Sequence, residues 1–118
     1  MCGRTVRGRS SGRSRPAVAR AMLFLEETPR LLEELTQAMT GKEWLAARLA
    51  ADALASLARD IGARRLEALG RQLRTAAEDA NAELLGNLVP TAMREWENTA
   101  PIVRTALDRM AGVTTPAG

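Results

Sequence analysis

The chain has 118 residues, enough for one domain with a packed core and too few for two. Apolar residues make up 46% of it, yet alanine and leucine dominate, Phe24, Trp44 and Trp96 are the only aromatics, and no segment has the β-branched enrichment of a strand, so an all-α fold is expected. The net charge of +3 hides two regions, because residues 1–20 carry six arginines and no acid, for +6, and the rest therefore carries −3.

Residues 1–15 are rich in Gly, Ser and Arg with almost nothing to bury, and a disordered arm is expected there. An arm of this kind can hold nucleic acid through phosphate contacts or resemble an organelle transit peptide. A solvated tail, such as a misassigned translation start would add, is the preferred reading. Cys2 has no second cysteine to pair with, so a disulfide scaffold is excluded and a reducing cytoplasm is expected. No apolar run approaches the roughly 18 residues that span a bilayer. Ala21 to Leu25 is too short for a signal-peptide core and runs into Glu26 and Glu27, so no membrane association is expected.

The helical period begins at Pro16. Met22, Leu25, Leu32, Leu35 and Met39 form an apolar stripe opposite Glu26, Arg30, Glu33 and Gln37. Pro29 falls inside the pattern and is expected to kink or split it. Thr40-Gly41-Lys42-Glu43 reads as a capping box that opens a second helix, Thr40 accepting from the Glu43 amide and Glu43 reaching back. That helix carries Ala47, Ala50 or Ala51, Leu54, Leu57 or Ala58, and Ile61 on its core side, and Gly62 ends it.

A third helix puts Leu66, Leu69, Leu73, Ala76, Ala77 and Ala80 on one face, with Gly70 at its edge as a sign of close helix–helix approach. After a turn near Ala80-Asn81, a longer fourth segment has the stripe Leu85, Leu88, Ala92, Trp96, Val103, Leu107 and Met110. Pro90 and Pro101 are expected to bend it, and Gly86 to relieve crowding four residues before Pro90. Four amphipathic helices with short connections predict an antiparallel up-down four-helix bundle over residues 16–111, followed by a disordered tail at 112–118. Both tryptophans are spaced as core or core-edge residues.

The segment from Ala50 to Leu66 resembles the signature helix of the histidine-containing phosphotransfer (HPt) domain, a four-helix bundle of bacterial phosphorelays. Leu54, Ala58, Ile61, Gly62, Ala63 and Leu66 fall in the family pattern, and each is a packing or turn position. The resemblance implies an exposed acceptor histidine at the position of Asp52, a lysine at Ala55 and a glycine at Ser56. The chain contains no histidine anywhere. On a helix, Asp52 lies about 200° from the core-facing Leu54, hence on the solvent side, with Arg48, Ala55, Ser56 and Arg59 within two turns. The bland reading of Asp52 is a solvated residue paired with Arg48. The functional reading is a docking residue on a face that a receiver or kinase partner recognises.

Asp52 has no second carboxylate within one turn, and the only lysine, Lys42, is ten residues earlier, so the acid cluster and lysine of an aspartyl-phosphate site are missing. No P-loop, dinucleotide turn or Cys/His metal spacing is present, and no cofactor, metal or enzymatic activity is expected. The resemblance implies an HPt-like monomer of a two-component phosphorelay that cannot carry phosphate and acts by docking to a response-regulator receiver or a sensor kinase. The competing readings are a nucleic-acid-associated helical protein using its Arg-rich arm, and a generic helical interaction domain.

Overall fold

The computed structural model describes residues 14–110 and Gly112. The arm expected over 1–15 and the tail expected over 112–118 therefore lie almost entirely outside the described residues. Within them are four helices and no strand: α1 (Ser14–Gly41), α2 (Trp44–Asp60), α3 (Arg64–Glu78) and α4 (Ala82–Met110). Each helix packs chiefly on two neighbours, in the cyclic order α1, α2, α3, α4. With connections of two or three residues the helices run antiparallel, as the apolar periodicity predicts.

One turn geometry recurs at all three connections. The amides of Glu43, Ala63 and Asn81 donate to the carbonyls of Ala38, Ala58 and Ala76, five residues back, at 2.8, 2.8 and 2.9 Å. The preceding amides, of Lys42, Gly62 and Ala80, donate three residues back. This is the Schellman closure, which needs a left-handed residue just after the helix. Lys42 (φ 55°), Gly62 (φ 78°) and Ala80 (φ 51°) supply it.

The core is a column of small and medium side chains around Phe24, Leu35, Leu54, Leu66, Leu73 and Leu85, all fully buried. Phe24 meets Trp96 across α1 and α4 with ring centroids 5.3 Å apart and planes tilted by 60°. Trp44 and Trp96 both pack against the core while remaining partly exposed, as their spacing predicts. Alanine at 47, 50, 51, 58, 76, 77 and 92 fills the contacts between helices and lets them approach closely.

Several expectations are corrected. Pro29 does not split α1, and Pro90 and Pro101, expected to bend the fourth helix, lie within a continuous α4. All three prolines are exposed. On that side a lost amide donor leaves a carbonyl facing water, so the helix can continue past the ring. The capping box does not form. Since α1 continues to Gly41, Thr40 is still helical and its hydroxyl donates to the Thr36 carbonyl at 3.0 Å, while the Glu43 amide is already used in the turn.

The stripe of α1 is corrected at one position: Met22 is exposed, whereas Leu32 and Leu35 are buried and Leu25 and Met39 pack against the core as expected, and Ala21, Phe24, Thr28, Leu31 and Ala38 join them on the inner face. Ala80 belongs to the turn after α3 and is exposed, and Met110 stands exposed at the end of α4. A Cβ on Gly86 would meet only the Met39 sulfur at 4.0 Å, so the glycine relieves no crowding from Pro90.

Candidate functional site

The outer face of α2 carries Arg48, Asp52, Ser56 and Arg59 of the residues singled out by the sequence, and α3 supplies the rest of the site. Arg48, Asp52, Ser56 and Arg59 follow one another at spacings of three and four residues along that face. Ser56 and Arg59 are exposed, whereas Arg48 and Asp52 are half-buried by side chains rising from α3. The Asp52 carboxylate is paired with Arg74 Nη1 at 3.3 Å, not with Arg48. Arg74 Nε in turn donates to Glu78 Oε2 at 3.2 Å, and Arg48 Nη1 lies 3.9 Å from the same oxygen. The result is a chain of alternating charge, Asp52–Arg74–Glu78–Arg48, laid across the groove between α2 and α3.

Each link is open to water, with both side chains of the Asp52–Arg74 pair close to half exposed. Pairs of this kind contribute about 0–1 kcal/mol each. Their effect is on position: the Asp52 carboxylate is drawn toward α3. Arg48 Nε is buried without an acceptor among the described residues.

Ala55 has a different role from its neighbours. A Cβ built on Gly70 of α3 would lie 2.9 Å from the Ala55 nitrogen and Cβ, closer than such atoms approach. Gly70 and Ala55 thus mark a close approach between α2 and α3, as expected for Gly70, and Ala55 is only partly exposed. Leu54 and Ala58, on the opposite side of α2, are fully buried. Gly62 closes the helix as expected.

Sequence reasoning missed two elements of this face. Leu45 and Leu49 are 64% and 54% exposed, so the Asp52 ridge has an apolar shoulder one and two turns before it. Their spacing to Asp52, at seven and three residues, was a usable signal, since a helix places 45, 49, 52 and 56 in one row. Arg74 and Glu78 gave no such signal, because helical period says nothing about which side chain of another helix lies opposite. Among the described residues no group of three or more His, Cys, Asp or Glu side chains comes together. No described helix is long and apolar enough to cross a membrane.

A family model described as Hpt domain matches residues 21–112, nearly the whole of the described bundle. No curated protein and no solved structure matches the chain.

Proposed function

The chain belongs to the Hpt domain family of phosphotransfer signalling proteins, and from that premise we propose that it works without carrying phosphate, by docking to a receiver or kinase partner through the α2 face around Asp52. The observation that carries this reading is the side chain at the acceptor position. Asp52 stands where the family's histidine stands, no other residue of the chain is a histidine, and the Asp52 carboxylate is paired with Arg74.

An imidazole nitrogen attacks phosphorus because it is a good nucleophile at neutral pH, and it returns the group readily. A carboxylate accepts a phosphoryl group in signalling proteins only with help from further acids, a divalent cation and a lysine. Arg74 beside Asp52 supplies none of that and holds the oxygen in an ion pair. The surface around it supports docking: a row with Asp52 at its centre, two exposed leucines before it and small Ser56 and exposed Arg59 after it. A module of this kind occupies a receiver and so competes with, or buffers, an active phosphotransfer partner.

The test restores the family residues with Asp52→His, Ala55→Lys and Ser56→Gly, then mixes each protein with phosphorylated receiver domains of the source organism. The unmodified chain is expected to bind at least one receiver and take up no phosphate, while the restored variant accepts it. Phosphate on the unmodified chain would overturn the acceptor-less reading. Binding by neither protein would overturn docking.

A further inference from the structure

The four helices are unequal, and the inequality leaves an apolar surface that no described residue covers. α1 and α4 have 28 and 29 residues, whereas α2 and α3 have 17 and 15. At about 1.5 Å per residue the long pair outruns the short pair by roughly 15–20 Å. Because α1 ends where α2 begins and α4 begins where α3 ends, both overhangs lie beyond the Ile61–Ala63 turn. They consist of the N-terminal part of α1 and the C-terminal part of α4, side by side. Below the turn, where a longer α2–α3 hairpin would continue, is an open cleft of about 350 Å³. Ala17, Val103 and Ala106 form its floor, Ile61 its roof, and Ile102, 69% exposed, its edge.

We propose that a second copy of this chain fills that cleft, the two overhangs packing antiparallel about a two-fold axis. The missing volume is the volume of two helices, and the overhang itself is two helices of matching length. Each copy then supplies what the other lacks, and α1 and α4 of both form a second four-helix layer end to end with the first. The charges agree with a two-fold arrangement. Arg20 on α1 and Asp60 at the end of α2 line the cleft, both are exposed, and neither forms an ion pair among the described residues. A two-fold axis brings Arg20 of one copy toward Asp60 of the other, and the reverse, so the pairing is made twice.

The face is small. Two helices about 10 Å wide and about 20 Å long offer about 400 Å² per copy, which places the dimer among weak, reversible associations. This assembly goes beyond the docking reading, leaves the Asp52 face free, and differs from the monomer expected from sequence.

Sedimentation equilibrium of the full chain from about 10 to about 500 μM, a range that brackets a weak interface, is the test. A monomer–dimer equilibrium is expected. Ile102→Glu should raise the dissociation constant about tenfold or more by placing a charge in the apolar contact. Arg20→Glu and Asp60→Arg should each weaken the dimer, and the double variant Arg20→Glu/Asp60→Arg should bring it back toward the starting value. All three positions are exposed, so the fold is retained, which circular dichroism checks. A chain that stays monomeric throughout overturns the proposal and leaves the cleft to a terminal segment of the same chain or to another protein. Association indifferent to these substitutions overturns it as well, by placing the contact on another surface.

Discussion

Residue 70 fixes how close α2 and α3 lie, and that distance brings Arg74 within reach of Asp52. Adding one methyl group at Gly70 forces Ala55 backbone and Cβ away from positions 2.9 Å distant. Backbone cannot rotate aside as a side-chain tip can, so the two helices must separate. The overpacking penalty of about 1–3 kcal/mol exceeds the roughly 1 kcal/mol that alanine gains over glycine inside a helix. Gly70→Ala is therefore expected to destabilise the domain, by up to about 2 kcal/mol, in urea unfolding. Gly86→Ala is the control with opposite sign, since its Cβ meets only the Met39 sulfur at 4.0 Å. There the helix propensity is collected without a clash, and a gain of about 0.5–1 kcal/mol is expected. Equal signs for the two substitutions would contradict the close approach at Gly70.

At the level of elements, the same turn is built three times from different residues, and only one of the three is suited to it. Gly62 adopts φ 78° without a Cβ to obstruct it, while Ala80 and Lys42 are held at φ 51° and 55° by the hydrogen bonds of the closure. A left-handed L residue costs about 1–2 kcal/mol. Ala80→Gly is accordingly expected to stabilise the protein by about 1 kcal/mol, and Gly62→Ala to destabilise it by a similar amount, both read from thermal unfolding with matched controls. This also explains what the sequence disclosed about helix ends. A glycine marked the turn at 62 plainly, and the end of α3 was placed near Ala80-Asn81. At the first turn the left-handed residue is Lys42, and the capping box drawn across Thr40–Glu43 missed it. Pro29 misled for a related reason. A proline splits a helix most readily when its missing donor and its ring face the packed side, and Pro29 is exposed.

Across the whole molecule, what could be read from sequence was what depends on period and composition: four helices, their order, their core faces and the family to which they belong. The site was half legible. Its α2 residues share one helix and follow from spacing, but Arg74 and Glu78 reach it only through packing of α3. The overhang of α1 and α4 lay outside sequence reasoning too, since it emerges only when helix lengths are compared in register. It carries a consequence for stability. Beyond the Phe24–Trp96 contact only Ala21 and Ala100 are buried, whereas Leu54, Leu66 and Leu73 are enclosed by all four helices. Local opening should follow that division, because two helices cannot bury a face on both sides. Native-state hydrogen exchange is expected to be at least about tenfold faster for amides at 18–21 and 102–107 than for those of Leu54 and Leu73 at low protein concentration, a difference of about 1.4 kcal/mol in opening free energy. Raising the concentration through the dimer range should slow the overhang amides and leave the core amides unchanged, because the second copy stabilises only the segments it covers. Uniform protection along α1 and α4 at low concentration would mean that the overhang is already supported within one chain.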